Sequence, residues 1–378
     1  MNKLLMTAST YSHIRSFHLP YLWKFQQLGW ETHIGCSGIP DELPACVDRA
    51  IALPFEKKMT APANFQAARI LRDRIRAERY DLIVTHTALA AFFTRLAVKG
   101  LKNRPQIVNV VHGYLFDDET PFLKRSVLLT AEHLTAPETD LLLTMNDWDD
   151  HAAKRYRLGK QIEKIPGIGV DFSRLDAATA ADGAALRDTL GIPADAFVLI
   201  YPAEFSARKS QHVLIEAMAL LPERTVLVLP GSGALLEQCK ARAQQLGLGE
   251  RVLFPGYISD MAPWYRMADA AVTASRSEGL PFNVMEAMYC YLPVIASSVK
   301  GHTDLIEDDV TGLLYPYGDA AACAERIRKL TEDDVLRARL AMNAKAQTAQ
   351  YGLDAVLEIV MGQYEAMNAH AESLQMGI

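Results

Sequence analysis

The feature that most constrains the fold of this chain is a repeated alternation of short β-rich runs with amphipathic helical stretches. The alternation runs through nearly the whole sequence in two successive series. Because parallel strands need long crossover connections, which are usually helices, the alternation predicts two mostly parallel sheets and an α/β fold class. The predicted strands lie at 3–8, 31–36, 81–86, 106–111 and 140–144 in the first series, and at 198–202, 225–229, 251–254, 270–273 and 294–296 in the second.

The two series predict two domains, each a doubly wound, Rossmann-like sheet. A glycine-containing segment at 167–171 and a loose stretch at 176–183 mark the boundary. We expect an N-terminal domain at 1–168 and a C-terminal domain at 169–352, with a helix at about 353–378 that packs back on the first domain. Ligands of such sheets bind beyond the carboxyl ends of the strands. A site is therefore expected in a cleft where the two domains face each other.

Composition and charge narrow the class of function. The formal net charge of -6 argues against a nucleic-acid-binding protein that relies on bulk basicity. The 5 cysteines are scattered and never in C-x-x-C spacing, so neither a disulfide framework nor a zinc site is expected. No signal peptide and no long apolar run is visible, which predicts a cytoplasmic protein. A modest basic set leaves peripheral contact with the inner face of the cell membrane open: Lys99, Lys102, Arg104, Lys124 and Arg125.

The most informative stretch, at 275–288, follows a predicted strand and opens a helix. It carries two glutamates, Glu278 and Glu286, with Gly279 and Pro281 between them. A glycine lets the backbone approach a ligand closely, and the amide groups at a helix start form an anion site. The alternative interpretation is a capped helix with two surface carboxylates.

A second candidate lies at 202–210, at the end of a predicted strand and before a helix. The adjacent cations Arg208 and Lys209 suit a diphosphate, because their charges and the helix dipole both favour anions. Two solvated charges in a loop are the alternative.

Histidines follow strands in the N-terminal half: His13, His86 and His112. Without further context, a structural role is the more common one for a lone histidine. The acidic run at 147–151 imitates an Asp-x-Asp metal motif, but a helix cap and an acidic first turn explain it at this position after a strand. We therefore expect no metal site there.

The stretch S-R-S-E-G-L-P-F-N-V-M-E-A-M at 275–288 resembles the paired-glutamate signature of the family 4 retaining glycosyltransferases, which have the GT-B fold. The opening S-H-I-x-x-F-H-x-P at 12–20 is similar to that of capsule and exopolysaccharide enzymes of bacteria. The resemblance implies three catalytic residues, His112, Glu278 and Lys209. It implies an acceptor-side set of Ser12, His13 and His86. It also implies a donor-binding set of Arg208, Lys209, Gly231, Tyr257, Ile258, Glu278, Gly279, Leu280, Pro281, Phe282, Asn283 and Glu286.

The resemblance also distributes roles within the donor-binding set. Glu278 would reach hydroxyl groups of the donor sugar, and Glu286 would bind the nucleotide ribose. Lys209 and its neighbouring arginine would take the charge of the diphosphate. Two positions depart from the family pattern: Glu204 stands where an arginine is often found, and Ser210 replaces a glycine.

The resemblance implies an enzyme that moves a hexose or N-acetylhexosamine from a nucleotide-diphosphate sugar, with UDP preferred. The acceptor would be a glycan or a lipid-pyrophosphate-linked sugar in bacterial surface polysaccharide synthesis. The transfer would proceed with retention at the anomeric carbon and without a metal or other cofactor. Two alternatives stay open: a nucleotide-sugar 2-epimerase of the same fold, which needs no acceptor, and a non-catalytic nucleotide- or glycan-binding module. A Rossmann dehydrogenase does not fit, because no G-x-G-x-x-G follows the first strand.

Overall fold

The computed structural model describes residues 1–376, with side chains up to residue 367. The chain divides into two compact units: residues 1–168 with the residues from 356 onward, and residues 169–355. Each unit is built around one parallel sheet, which confirms the α/β class predicted from the alternation.

The helices and strands follow one another in the predicted alternating order. In the first unit the strands are β1 (Lys3–Thr10), β2 (Glu31–Ser37), β3 (Arg49–Ala52), β4 (Leu82–His86), β5 (Gln106–Val110), β6 (Leu141–Thr144) and β7 (Gln161–Lys164). Its helices are α1 (Tyr11–Phe17), α2 (Leu19–Gln27), α3 (Pro62–Glu78), α4 (Ala88–Val98), α5 (Phe122–Thr135) and α6 (Asp147–Tyr156). In the second unit the strands are β8 (Phe197–Ile200), β9 (Thr225–Val228), β10 (Val252–Leu253), β11 (Ala270–Thr273), β12 (Val294–Ser297) and β13 (Leu313–Tyr315). The remaining helices are α7 (Ala180–Thr189), α8 (Gln211–Met218), α9 (Leu236–Gln245), α10 (Ala262–Met267), α11 (Phe282–Tyr289), α12 (Ala320–Glu332), α13 (Asp334–Gln347) and α14 (Leu353–Met376). Short 3₁₀ helices lie at Ala136–Glu138, Ser173–Leu175 and Thr348–Tyr351.

The order of the strands shows where ligands can bind. The first sheet has 7 strands in the order β3-β2-β1-β4-β5-β6-β7, and the second has 6 in the order β10-β9-β8-β11-β12-β13. The winding direction reverses between β1 and β4 in the first sheet and between β8 and β11 in the second. Doubly wound sheets bind ligands beyond the carboxyl ends of the strands at such a reversal. The loops after these four strands are therefore the expected positions of bound ligands.

The middle of each sheet is buried on both faces. Strands β4, β6, β9, β11 and β12 are buried along their whole length. Because successive side chains of a strand point to opposite faces, such strands need apolar cover on both sides and read as nearly continuous apolar runs. The core of the first unit packs Leu5, Ile83 and Ile107 against Leu71 and Phe93.

Sequence patterning missed three strands, which all lie at sheet edges: β3, β7 and β13. Strand β7 reads QIEK, and only Ile162 in it is even partly buried. Strands β3 and β7 pair on one side only and are more exposed, so they do not need the apolar run that identifies a central strand. Strand β13 is apolar and its two outer residues are buried, but it is only 3 residues long.

The last helix contributes to the first unit from Val356 onward. Tyr364 stacks on Phe25 with 5.7 Å between the ring centroids, and the carbonyl of Met367 accepts a hydrogen bond from Gln106 at 3.3 Å. These contacts fix the helix to the first unit by apolar packing and one polar bond.

All five cysteines, for which we expected neither a disulfide nor a zinc site, are buried and unpaired. Across the described residues, none of the helices combines the length and the apolarity that crossing a bilayer demands.

Candidate functional site

Four histidines gather at the carboxyl edge of the first sheet. His13 lies in α1, directly after β1, while His86 ends β4 and His112 follows β5. His18, between α1 and α2, joins them, and its ring stacks on His86 with 3.6 Å between centroids. The rings of His13 and His112 are 5.0 Å apart, and Nδ1 of His86 lies 3.0 Å from Nε2 of His112. The neighbouring positions of β1, β4 and β5 bring these side chains together from distant parts of the sequence.

Burial keeps the four rings of this histidine cluster neutral. It lowers the pKa of His112 to about 3 and that of His13 to about 4. The pKa values of His18 and His86 fall well below their usual range, because burial disfavours the charged form and the neighbouring histidines add repulsion. A neutral imidazole offers one donor and one acceptor nitrogen. The cluster can therefore hydrogen-bond hydroxyl groups at neutral pH without carrying charge.

The backbone next to His86 is held in an uncommon conformation. Thr87 has a φ of 65°, which β-branched residues rarely adopt. Its hydroxyl oxygen accepts a hydrogen bond from the amide of Ser9 at 3.1 Å and lies 2.6 Å from the Ser9 hydroxyl. Strain of this kind is retained where the surrounding contacts hold a functional loop in one geometry.

The loop after His112 depends on a glycine and on a buried aspartate. Gly113 has a φ of 112°, in the region that favours glycine. The next amide, that of Tyr114, donates to the carboxylate of Asp149 at 3.3 Å. Asn146 caps α6 by accepting a hydrogen bond from the Asp149 amide at 2.8 Å. The predicted helix cap is thus Asn146, directly before the acidic run at 147–151. Asp149 of this run also holds the loop after His112, which the sequence did not reveal.

The opening segment holds two further residues of interest, Ser12 and His18. Ser12, predicted on the acceptor side beside His13, is exposed, and its hydroxyl lies 3.0 Å from that of Thr10. His18 was not selected from the sequence, although it is fully buried within the cluster. Its only sequence signal was its place in the segment that resembles capsule enzymes.

A largely apolar cavity of about 250 Å³ lies beside His112. Arg95 lines it, but this cation is buried and paired with Glu132 at 2.9 Å, so the cavity holds no unbalanced charge there. Apolar lining residues include Ala91, Phe92, Val111, Leu115 and Leu128.

Two cations and one carboxylate meet at the carboxyl edge of the second sheet. Nζ of Lys209 and Nη1 of Arg208 each lie 2.5 Å from a different oxygen of Glu278. The cations follow β8 and the carboxylate follows β11, the two strands at the reversal. The side chains of Lys209 and Glu278 are 12% and 7% exposed, whereas that of Arg208 is 50% exposed. The sequence predicted these three residues as parts of one site, and the structure brings them into direct contact.

The three charges of this cluster act on one another. Burial disfavours the charged form of Glu278, but Lys209 and Arg208 outweigh burial and bring its pKa from 4.5 to about 2. Burial also lowers the pKa of Lys209, against the attraction of Glu278. Glu278 is therefore ionised throughout the neutral pH range and serves as the counter-ion of both cations.

Hydrogen bonds tie the two loops of the charged cluster together. The hydroxyl of Tyr201 donates to the carbonyl of Lys209 at 3.1 Å and lies 2.7 Å from the hydroxyl of Ser275. The amide of Arg276 donates to the carbonyl of Arg208 at 2.8 Å. The cations and the carboxylate are thus positioned by backbone contacts as well as by their own attraction.

The loop that carries Glu278 packs against Gly301, in space that a side chain at position 301 would fill. It has a φ of 83°, and a Cβ at this position would lie 2.8 Å from the Cβ of Glu278 and 2.7 Å from the carbonyl oxygen of Gly279. Any side chain there would displace the loop.

The two departures from the family pattern have different consequences. Ser210 caps α8 in the left-handed conformation, with φ 50° and ψ 39°, which explains why glycine is usual at this position. Its hydroxyl donates to the carbonyl of Ala207 at 3.0 Å and lies 3.1 Å from that of Tyr317. Glu204 is exposed, and its carbonyl accepts a hydrogen bond from Gln211 at 2.9 Å.

The second glutamate, Glu286, has partners that the sequence did not reveal. It is buried, the hydroxyl of Tyr265 donates to its Oε2 at 2.9 Å, and Arg174 pairs with its Oε1. Burial raises its pKa, while Arg174 and Tyr265 act in the opposite direction. Because Arg174 is 54% exposed, a ligand group that replaced it would reach the carboxylate from solvent.

The turn between the glutamates opens a helix, as the sequence predicted. Helix α11 begins at Phe282, and Pro281 is its N-cap. Leu280 is buried, and the side-chain amide of Asn283 donates to the carbonyl of Pro202 at 3.2 Å. Asn283 thus ties the start of the helix to the end of β8.

A second cavity, of about 300 Å³, lies beside the loop after β8. It is lined by Gly231, Tyr257 and Ile258 as well as by residues 202–204. Gly231 has a φ of 150°, and a Cβ there would lie 2.0 Å from the carbonyl oxygen of Ala203. The chain's own backbone therefore leaves no room for a side chain at this position, so glycine is required whether or not a ligand binds nearby.

Comparison with known proteins defines the class to which this chain belongs. Residues 22–174 match the family described as Glycosyltransferase Family 4, and residues 183–347 match that described as Glycosyl transferases group 1. EpsD of Bacillus subtilis (strain 168), named as a glycosyltransferase, is 33% identical over 369 residues, covering 96% of each chain. The chain belongs to the family 4 glycosyltransferases, and the enzyme is a glycosyltransferase.

A further relative and a solved structure agree with this assignment. The UDP-Gal:alpha-D-GlcNAc-diphosphoundecaprenol alpha-1,3-galactosyltransferase of Escherichia coli is 26% identical over 270 residues, covering 69% of each chain. HepE of Anabaena, solved with UDP and glucose, matches with a TM-score of 0.80 at 21% identity, covering 97% of this chain and 100% of that chain. The structural similarity confirms the GT-B fold that the resemblance implied.

Proposed function

We propose that this glycosyltransferase moves a hexose or N-acetylhexosamine from a UDP-sugar to a glycan or lipid-pyrophosphate-linked acceptor, with retention and without a metal. The observation that carries this proposal is the contact of Lys209 and Arg208 with Glu278 at the reversal of the second sheet. Two cations next to the N-terminus of α8 match the charge of a nucleoside diphosphate.

The charged cluster would act on the leaving diphosphate. As the bond to the sugar breaks, negative charge grows on the diphosphate oxygens, and fixed cations in a partly buried site stabilise that charge strongly. Lys209 would contribute most because it is the more buried cation, while Arg208 would close on the diphosphate from its exposed side. This is the electrostatic role that a metal ion has in other transferases.

The remaining donor groups would bind the nucleotide and the sugar. Glu278 would release one of its two cations and accept a hydrogen bond from a hydroxyl of the sugar. Glu286 would accept a hydrogen bond from a ribose hydroxyl after Arg174 moves aside. The cavity beside Tyr257 and Ile258 would hold the base. HepE, solved with UDP and glucose, supports a donor of this class.

The histidine cluster would contact the transferred sugar and the acceptor. His112, neutral at physiological pH, would hydrogen-bond a hydroxyl of the donor sugar, and His13 and His86 would shape the acceptor side. The apolar cavity beside His112 would take an apolar part of the acceptor. A lipid-linked acceptor is supported by the name of the Escherichia coli relative, which specifies a diphosphoundecaprenol sugar.

An exposed apolar surface supports peripheral contact with the inner face of the cell membrane. Helix α5 exposes Phe122 by 78% and Leu123 by 77%, and Val127 on the same helix is also exposed. Lys124 and Arg125 lie among them. An apolar stripe flanked by cations is the pattern of a helix that lies in an anionic membrane interface. A cytoplasmic enzyme with this surface would meet its acceptor at the membrane.

A transfer assay tests the proposed reaction. The purified enzyme is incubated in EDTA with radiolabelled UDP-glucose, UDP-galactose and their N-acetyl derivatives, together with lipid-linked saccharides extracted from bacterial membranes. We expect one UDP-sugar to label the lipid phase with release of UDP, and NMR of the product to show the anomeric configuration of the donor. The matched control is Lys209→Met, which should bind UDP weakly and transfer little.

The same assay separates the alternatives. A 2-epimerase would convert the UDP-sugar to its epimer without acceptor, and a binding module would bind nucleotide without either product. An inverted anomeric centre, or transfer that required added Mg²⁺ or Mn²⁺, would contradict the proposed mechanism.

Vesicle flotation tests the membrane surface separately. Leu123→Ser should reduce flotation with anionic phospholipid vesicles, whereas Val335→Ser, which changes an 80% exposed residue of the second unit, should not. Equal flotation of the two variants would contradict a role for α5.

A further inference from the structure

Several ring nitrogens of the histidine cluster have no partner in the described part of the chain. His18 is fully buried, and neither of its ring nitrogens makes a hydrogen bond. Nε2 of His13 and Nε2 of His86 are buried and unbonded as well. Buried polar atoms almost always have a partner, so a concentration of unbonded ones points to a missing occupant.

Ring nitrogens of three histidines in the cluster are arranged in a way that suits a metal ion. His13, His18 and His112 each place one ring nitrogen so that the three lie within 4.8 Å of one another. We propose that these three histidines bind a divalent transition-metal ion of the zinc class, with a fourth position open. The nitrogens of a tetrahedral zinc site are about 3.3 Å apart, so small side-chain rotations would complete the coordination.

The chemistry of the donor set selects the class of ion. The set consists of imidazole nitrogens only, and no carboxylate in the described residues hydrogen-bonds to any of the four histidines. Imidazole suits Zn²⁺, Ni²⁺ and Cu²⁺, whereas Mg²⁺ and Ca²⁺ require oxygen ligands. His13 and His112 are only partly buried, which gives an ion access from solvent.

His86 would support the site without being one of the three ligands. Its Nδ1 lies 3.0 Å from Nε2 of His112, and its ring stacks on His18. Side chains in contact with metal-bound histidines orient the rings and raise affinity.

Another group of possible metal ligands in the same unit differs from the histidine cluster in its hydrogen bonding. Glu31, His33 and Glu78 also lie within ligand distance of one another. Lys3 bonds to both carboxylates, and Tyr80 bonds to His33 at 2.7 Å. Those atoms already have partners, whereas both ring nitrogens of His18 and Nε2 of His13 have none among the described residues.

Metal binding would inhibit transfer. His112 is the residue proposed to contact the donor sugar, and coordination would withdraw its nitrogen from that role. This consequence rests on the proposed function, whereas the metal site itself does not.

The test is a titration of the tag-free, chelator-treated enzyme with Co²⁺, followed by displacement with Zn²⁺. We expect one Co²⁺ per chain with the intense visible bands of tetrahedral coordination, and loss of those bands when Zn²⁺ is added. His13→Gln removes one partly exposed ligand and should weaken binding at least about tenfold. The matched control is His133→Gln, which changes an exposed histidine of α5 and should leave the titration unchanged.

Three results would overturn the proposal: no stoichiometric Co²⁺ or Zn²⁺ binding, equal affinity in the parent and His13→Gln, or equal weakening by His133→Gln. Thermal melting of metal-free His13→Gln checks that the variant is folded. In the transfer assay, Zn²⁺ should inhibit the parent reversibly while UDP affinity stays the same, and transfer that continues at full rate with metal bound would refute the inhibition. If the parent enzyme showed no transfer at all, that result would count against the proposed function. It would not count against the metal site, because the Co²⁺ titration measures metal binding directly.

Discussion

Replacing Glu278 with glutamine removes the charge that two cations share while keeping the size of the side chain. The pKa of Glu278 is held at about 2 instead of 4.5, which corresponds to roughly 3 kcal/mol of stability at neutral pH. Because the folded-state pKa is depressed, this contribution is present above pH 4.5 and is lost as the pH falls toward 2. Glu278→Gln should therefore lower the free energy of unfolding by about 3 kcal/mol, equally at pH 6 and pH 8.

Urea denaturation measures this loss. A chain with two units need not unfold in one step, so the transition to follow is the one that UDP shifts to higher urea concentration. The control is Glu204→Gln, which removes an exposed carboxylate from the loop after β8 and should change stability by less than about 0.5 kcal/mol.

A small effect would refute this reasoning. If Glu278→Gln changed the free energy of unfolding by less than about 1 kcal/mol at pH 7, the contacts with Lys209 and Arg208 would not hold the carboxylate as the pKa indicates. A loss that grew as the pH fell below 4.5 would give the sign opposite to the one expected from the depressed pKa.

Three further substitutions test separate parts of the site. Glu286→Gln should weaken UDP binding by about tenfold in calorimetry, since a charged acceptor for the ribose is lost, and unchanged affinity would exclude that role. His112→Ala should reduce the transfer rate by about a hundredfold while UDP affinity stays within about twofold, and a parallel loss of both would indicate misfolding instead. Ser210→Gly should be more stable than Ser210→Ala by about 1 kcal/mol. Both variants lose the hydroxyl contacts, but only glycine adopts the left-handed backbone without strain. Equal melting temperatures of the two variants would show that no strain is stored there.

The sequence predicted the central part of the fold because central strands have to be apolar on both faces. Strands such as β4 and β11 are fully buried, and their runs stand out from the amphipathic helices. The edge strands β3 and β7 carry no such run, since exposed positions there tolerate polar residues. Their existence follows from pairing with a neighbouring strand, which local patterning does not encode.

The site was predictable where a motif followed a central strand. Lys209 and Glu278 were selected because each follows such a strand, and the structure joins them at 2.5 Å. Arg174 and Tyr265 were not predicted as partners of Glu286, because they come from elements far from it in sequence and belong to no motif.

His18 shows a different limit of sequence reasoning. Its burial against His86 depends on the packing of α1 and α2 onto the end of the first sheet. Apart from its place in the segment at 12–20 that resembles capsule enzymes, its local sequence does not distinguish it from a histidine on a surface helix.

The most direct test of the central claim is a calorimetric titration of UDP into the enzyme in EDTA, with Lys209→Met in parallel. The claim is that the cluster of Lys209, Arg208 and Glu278 binds the donor diphosphate without a metal. It predicts one UDP bound per chain in EDTA, and an affinity about 10 to 100 times lower in Lys209→Met, since a buried charge-assisted bond contributes roughly 1.5 to 3 kcal/mol. Binding only after Mg²⁺ or Mn²⁺ is added, or equal affinity in the variant, would contradict the claim.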